Sequence, residues 1–388
     1  MLVLSIGISY GLTPIVAEYN AQKNHFGIVA HLRHAIVLNL IVAALLFLVL
    51  FFSSGILRFT DKPADVIELS IRFLNVIMLS MIPLSLFFTF KQFAEGMSDT
   101  KVAMYITIAS NILNITLNYI LVFGKLGVPA MGIMGSCWAT FISRTVMGIA
   151  MPVYIWFNPR YSIYREAFRI VDLKKSHFTQ QLKIGIPSGL MFVMEVAAFS
   201  VPTIFIPGSD QLAAHRISLS LAAMTYMISS GLGAAATIRT GTFLGLNDFA
   251  GVRKAGYSAV LLSLMFMSAA ALCFIIFSEQ LVGLFNDETA VLKVASPLLI
   301  IAAAFQLFDG TQVTMQGALR GIQDTIIPGI IAFAAYWIVG LPLSWLLCTK
   351  AELGVIGVWY GFVIGLGIAA SGFFLRFRHL SRKNNALN

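Results

Sequence analysis

Between Arg33 and Arg58 run twenty-four consecutive residues, HAIVLNLIVAALLFLVLFFSSGIL, without a single Asp, Glu, Lys or Arg. As an α-helix this stretch rises roughly 36 Å, enough to cross a hydrocarbon core about 30 Å thick. In lipid every backbone N–H and C=O must be satisfied internally, so such a run is a helix before any other consideration. Comparable runs recur along the chain. Apolar stretches, and the Gly, Pro, Asn and Asp residues between them, predict eleven spans at about 1–18, 33–55, 70–92, 102–123, 131–156, 185–206, 212–238, 256–277, 295–317, 326–348 and 354–375. A spanning β-barrel would need short strands of alternating polarity, and none appears. Only 11% of the residues are charged and 58% are hydrophobic, against roughly a quarter charged in soluble domains. The predicted class is an all-α membrane protein.

The 26 Lys and Arg residues give a net charge of +9, which raises the question of nucleic acid. They form no stripe or face; they collect in the connections, so no nucleic-acid partner is expected and the lipid bilayer is the surrounding medium. Alternate connections fall on one side, and Lys23, Arg33, Lys91, Lys101, the segment 157–184 and the tail SRKNNALN make that side the richer. The positive-inside bias predicts it to be cytoplasmic, with the protein multi-pass in the cell's inner or plasma membrane and its C-terminus inside. The connection NPRYSIYREAFRIVDLKKSHFTQQLK mixes aromatic with basic residues and suits a helix lying on the inner leaflet. No cleavable signal peptide is expected, since Met1 opens directly into an apolar run. Cys137, Cys273 and Cys348 lie in apolar stretches without ligand spacing and predict neither disulfide nor metal.

Internal repetition organises the chain. FAEGMSDT at 93–100 matches ALRGIQDT at 318–325 at an offset of 225, LGVPAMG at 126–132 resembles LGVIG at 353–357, and KNHF at 23–26 resembles LNDF at 246–249 at an offset of 223. One helical unit has been used twice, which predicts an N-terminal bundle over 1–156, a cytoplasmic connection over 157–184, a C-terminal bundle over 185–376 and a tail over 377–388. Two such bundles related by an axis along the membrane normal are a transporter architecture. The second unit begins near Lys183, so its counterpart in the first would begin before Met1.

On YGLTPIVAEYNAQKN (10–24), KQFAEGMSDTK (91–101), SNILNITLNYILVFGKLGVPAMGIMGSCWATFISR (110–144), LAAHRISLS (212–220), FDGTQVTMQGALRGIQDT (308–325) and YWIVGLPLSW (336–345), the chain resembles the multidrug and toxic compound extrusion (MATE) transporters over essentially its whole length. The resemblance implies two pseudo-symmetric lobes forming a V-shaped cavity, twelve helices in a full-length member, and export of cationic or amphipathic compounds in exchange for Na+ or H+. It also implies that the first helix and the start of the second are missing here.

Of the seventeen acidic residues, only Glu195 and Asp309 stand well within predicted spans. A charged side chain at mid-bilayer costs about 2.5–3.5 kcal/mol on insertion scales, so two retained carboxylates call for a reason. The resembled family binds its coupling cation or proton on acids at these places, which makes Glu195 and Asp309 the coupling pair and the place of any bound Na+. Burial disfavours the charged form and a second carboxylate disfavours it further; a proton, a sodium ion or a cationic drug relieves both penalties. Competition for one anionic site then suffices for antiport. The competing reading is that each acid is merely hydrogen-bonded for helix packing.

Asp309, Gln312 and Gln316 follow i, i+3, i+7 spacing and share a helix face that should line the cavity, with Thr311 a weaker candidate; glue between helices is the other reading of the glutamines. In the first lobe Asn111, Asn114 and Asn118 repeat that spacing, and Asn114, Asn118 and the intramembrane Arg144 are cavity candidates, again with packing as the alternative. His215 is expected to be structural. Gly96 and Gly321 are expected to stop helices, with Asp99 and Asp324 capping the helices that follow. Pro83, Pro187, Pro202, Pro328 and Pro342 are expected to bend spans. No phosphate loop, paired-His spacing or nucleophile motif occurs, so neither an enzyme nor a bound cofactor is expected beyond Na+ or H+ as coupling ion. The expected protein is a monomeric antiporter of small organic cations or amphipathic drugs. Two alternatives stand beside it: a lipid-linked oligosaccharide flippase, which would want several cavity arginines where only Arg144 qualifies, and a truncated remnant that transports nothing.

Overall fold

The computed structural model describes residues 2–59, 63–169 and 171–383, without the side chains of Leu2 and Lys383. Lys62 and the tail beyond Lys383 lie outside the described residues. The chain is helical throughout: α1 Leu2–Ser9, α2 Leu12–Ala21, α3 His25–Ser53, α4 Ala64–Leu79, α5 Met81–Gly96, α6 Lys101–Phe123, α7 Ile133–Phe157, α8 Lys175–Ser200, α9 Ser209–Gly245, α10 Phe249–Ile276, α11 Ser278–Gly283, α12 Thr289–Gly321, α13 Ile326–Phe333, α14 Leu341–Trp345 and α15 Gly354–Lys383. Among the described residues ten helical stretches are long and apolar enough to cross a membrane. The eleventh expected span, at 1–18, is two short helices broken at Tyr10 and Gly11. Pro14 explains the break, because its ring opposes the carbonyl four residues earlier and it offers no N–H. Pro83 interrupts the stretch Ala64–Gly96 at Ser80 in the same way. Pro342 follows a π-helical turn, Ala334–Gly340. Helices overrun the predicted spans, α15 reaching Lys383 where a tail was expected from 377, because the hydrogen-bond ladder continues past the first charged residue.

The chain folds as two compact units, Met1–Gly189 and Leu190–Asn388. Each owns a core, around Leu32, Phe87, Phe90 and Phe93 in the first and around Leu298, Phe305, Trp359 and Phe373 in the second.

Four helices end in one and the same turn, and this is where the sequence repetition becomes physical. The N–H of Asn24 donates to the carbonyl of Tyr19 at 2.9 Å, Asp99 to Ala94 at 2.8 Å, Asp248 to Phe243 at 2.9 Å and Asp324 to Leu319 at 3.0 Å. The preceding residue is left-handed each time, with φ of 56° at Lys23, 59° at Ser98, 56° at Asn247 and 61° at Gln323. These six-to-one bonds satisfy helix-end carbonyls as a glycine stop does, without the glycine. Gly96 and Gly321 are indeed the last helical residues of α5 and α12. They are glycines for another reason: a Cβ on Gly96 would meet the Val16 side chain at 2.6 Å, and one on Gly321 would meet Thr240 and, at 2.5 Å, the carbonyl oxygen of Thr237.

Capping differs from expectation. Asn24 and Asp248 cap α3 and α10, accepting from the N–H of Gly27 at 2.9 Å and of Gly251 at 2.8 Å. Equivalent positions there are 224 residues apart, so the register read from KNHF and LNDF was short by one. Asp99 and Asp324 do not hold the N-cap positions; Thr100 and Thr325 do, without a side-chain capping bond. Asp99 accepts from the Tyr161 hydroxyl at 2.7 Å and lies 3.6 Å from Arg160, while Asp324 accepts from Arg376 Nε at 2.7 Å. A carboxylate within reach of a guanidinium adds the attraction of a second charge to its hydrogen bond, which a backbone N–H does not offer.

The polar connection also departs from the surface helix predicted for it. Pro159–Phe168 forms 3-10 turns whose Tyr161 and Tyr164 are buried against Phe93, while Phe168 stacks on Phe90 at 5.3 Å. Arg33 pins the segment, donating to the carbonyls of Val171 at 2.8 Å and Glu166 at 3.0 Å. Burial, and then the bond to Asp99, push the Tyr161 hydroxyl well above the ordinary tyrosine range.

Candidate functional site

Helix α12 carries the polar face and small residues let its neighbours reach it. The Gly317 backbone touches that of Gly233 on α9 so closely that a Cβ would overlap it. Thr237 Oγ1 on α9 donates to the Gly317 carbonyl at 2.8 Å and Thr240 Oγ1 to that of Ala318 at 3.2 Å. A Cβ at Gly310 would meet Ser263 Oγ at 2.6 Å, and Ser263 itself bonds Ser229 at 2.8 Å, joining α10 to α9 beside it. Close backbone approach with hydroxyl cross-links is how helices associate where lipid supplies no hydrophobic driving force. These contacts hold Asp309, Gln312 and Gln316 turned inward.

All three are buried, at 2%, 1% and 2% exposure, and so is Glu195 of α8 at 5%. Gln312 hydrogen-bonds the Glu195 carboxylate, its amide N–H₂ donating, and leaves its own Oε1 without a partner. The charges of Glu195 and Asp309 act on one another, and both act on the Tyr336 hydroxyl. That hydroxyl, carried on the π-turn Ala334–Gly340, is buried and has no hydrogen-bond partner. Trp337 anchors the turn, its Nε1 donating to the Met194 carbonyl of α8 at 3.3 Å. No salt bridge among the described residues involves either acid. Two carboxylates, a carboxamide oxygen and a phenol oxygen thus share one dry, oxygen-rich place.

The remaining candidates sit elsewhere. Gln316 donates to Met191 Sδ at 3.6 Å, with its Oε1 unpartnered. Thr311 is only half-buried and its hydroxyl donates to Leu307 of its own helix at 2.8 Å. Asn114, Asn118 and Arg144 belong to the first unit. Asn118 donates to the Asn114 carbonyl at 2.9 Å and to its Oδ1 at 3.1 Å, Asn111 is exposed, and a recess beside Asn118 is lined by Tyr119, Phe123, Ile133 and Ser136. Arg144 Nη1 donates to Ser80 Oγ at 2.8 Å, at the break between α4 and α5. His215 is wholly buried and accepts from Trp359 Nε1 at 3.2 Å, as a structural histidine does.

Tyr336 escaped the sequence reading, since an aromatic residue in an apolar span carries no signal of its own. Gln306, which accepts from Thr225 at 2.8 Å one turn before Asp309, was equally silent. Its i−3 spacing from Asp309 could have placed it on the same face.

The sequence profile of the MatE family matches residues 1–120 and 187–346. The probable multidrug resistance protein NorM of Rhizobium meliloti is 31% identical across 100% of this chain and 84% of its own length. The multidrug resistance protein MdtK of Yersinia pseudotuberculosis is 33% identical across 98% of this chain and 85% of its own. Among solved structures, an outward-facing multidrug resistance MATE transporter superposes with a TM-score of 0.91 at 19% identity, covering 99% of this chain and 85% of that one. The eukaryotic MATE transporter AtDTX14 gives 0.85 at 22% identity, with 99% and 86% covered. At these identities the structural likeness speaks for the fold alone.

Proposed function

This chain belongs to the MatE family of multidrug efflux transporters, and from that premise we propose that it exports cationic or amphipathic drugs by antiport against Na+ or H+, with Glu195 and Asp309 as the shared coupling site. The observation that carries the reading is the pair itself: two acids of one unit, both inside lipid-spanning helices, close enough to repel and in no salt bridge among the described residues. A buried unpaired charge costs several kcal/mol, so the pair is at rest only when something positive sits on it. A proton bonded to either acid, or a sodium ion held by the carboxylates with the free oxygens of Gln312 and Tyr336, meets that demand. So does a drug cation. With one of the two acids protonated the site carries a single negative charge, which one monovalent cation cancels and two would overcharge, so the loading of one favours release of the other; alternation between the two sides of the membrane turns this competition into exchange.

The experiment is efflux of a cationic dye from proteoliposomes under an imposed Na+ gradient at constant pH, and separately under a pH gradient without Na+. Glu195→Gln or Asp309→Asn is expected to abolish whichever efflux the native protein shows, with protein level in the membrane intact. Undiminished efflux in both variants refutes the coupling role.

A further inference from the structure

A group of three histidines lies outside this site, in the first unit, where the start of α8 meets α3. His31 and His34 of α3 are 0% and 1% exposed, and both touch His177 of α8, at ring-centroid distances of 4.5 and 4.8 Å. Their hydrogen bonds dictate where each proton sits. His34 Nδ1 is 2.6 Å from the Ala30 carbonyl, which can only accept, so that nitrogen carries the proton; His34 Nε2 then accepts from the backbone N–H of Lys174 at 2.7 Å. The Gln181 amide nitrogen donates to the His31 carbonyl at 2.7 Å and faces His31 Nδ1 at 3.4 Å. His31 Nδ1 is therefore an acceptor and the His31 proton is on Nε2, which donates to His177 Nδ1 at 3.2 Å. One nitrogen of each ring is thus spent as an acceptor.

A further proton has nowhere to go. On His34 Nε2 it would point at the Lys174 N–H, on His177 Nδ1 at the His31 N–H, and on His31 Nδ1 at the Gln181 amide. That amide cannot turn over without setting its oxygen against the His31 carbonyl. The surroundings offer no relief. From α2 the Tyr19 ring stacks on His31 at 5.3 Å, with Glu18 acting on the Tyr19 hydroxyl; from α8 Phe178 packs on His34 at 4.7 Å; Lys174 acts on His177 as a like charge. Arg33 is engaged with the polar connection, its guanidinium on the backbone carbonyls of Val171 and Glu166, and Tyr164 bonds His25 at 2.8 Å.

We infer that His31, His34 and His177 form a proton-binding latch in the first unit, closed when the rings are neutral and opened by protons, fastening the start of α8 to α3. The carboxylate pair takes no part in it, so the latch stands or falls separately from the coupling assignment. The closed latch admits no proton, whereas rings released to water titrate near an ordinary value of about 6.5. Closure is thus complete above that value and weakens as pH falls below it. Between pH 7.5 and 5.5 the opening constant rises about tenfold for each ring that takes a proton on release.

The test is amide hydrogen exchange on the full chain in nanodiscs at pH 7.5 and 5.5, corrected for the intrinsic pH dependence of exchange, read over residues 28–38 and 171–185. Protection of both segments is expected to fall by about tenfold per ring. His31→Gln and His177→Gln should each remove one such factor, and His25→Gln, outside the latch, should leave the ratio unchanged. Equal protection at both pH values, or an undiminished ratio in both latch variants, overturns the inference. Should those variants not fold, nitrogen-15 spectra of the native protein labelled at histidine decide: a ring protonated on Nδ1 is required at pH 7.5, and all rings protonated on Nε2 would overturn it.

Discussion

The two units close their helices with the same turns and spend their polar interiors differently. In the first, the turns at Lys23 and Ser98 enclose hydrogen bonds and a paired charge: Thr13 donates to Gln92, Asn39 donates to Thr89 at 2.9 Å, Lys91 lies 3.4 Å from Glu95, and the histidines hold one another. In the second, the turns at Asn247 and Gln323 enclose two acids. The chassis is set by left-handed turn residues and capping Asn or Asp, none of which touches the acids. Chemistry was free to diverge because it occupies a few inward positions that the turns do not constrain.

The comparison breaks most sharply at the acids. Glu195→Gln combined with Asp309→Asn should be no worse in dye efflux than either change alone, all three falling to the level of empty vesicles, since groups that act as one site are not additive. Efflux that declines stepwise through the three variants would mean two independent sites. Next in size is packing. Gly321→Ala drives a methyl into the Thr237 backbone and should lower the unfolding free energy by about 3 kcal/mol, and Gly96→Ala, which meets the stiff Cβ of buried Val16 at 2.6 Å, should cost about 2 kcal/mol, as detergent unfolding curves would register. Equal costs would mean that the two glycines do not answer to the contacts found here. The caps sharpen the likeness: Asn24→Ala and Asp248→Ala should each lose about 1 kcal/mol, the same in both units. A cap in one unit worth twice the other would count against a common design. Smallest is Thr311→Val, which removes a hydroxyl bonded within its own helix; export should stay unchanged and stability should move by no more than about 0.5 kcal/mol.

Much of this was legible because lipid leaves the chain so few options. The run from Arg33 to Arg58 could only be a helix, the Gly-x-x-Asp-Thr match announced two similar turns, and two acids in apolar spans announced a site. What escaped notice depended on neighbours distant in sequence. Asp99 and Asp324 looked like caps because capping is a local rule, yet Tyr161 and Arg376, 62 and 52 residues away, claimed them. The segment 157–184 looked like a surface helix because it is aromatic and basic, until Phe93 and Phe90 offered its tyrosines and Phe168 a drier place. The histidines gave no hint at all: His31 and His34 lie near one end of the chain and His177 near its middle, and no spacing links them.

The sequence by itself determined that this protein crosses the membrane as helices, repeats one unit twice and keeps Glu195 and Asp309 where acids are costly. These follow from composition and from the period along a single helix, which are properties of neighbouring residues. Only the tertiary structure decided that Gln312 and Tyr336 join those acids, that Thr311 does not, and that three imidazoles close on one another. Such groupings depend on which helices touch and how closely, and that is set by the absence of a side chain at Gly310, Gly317 and Gly321 as much as by any group that is present.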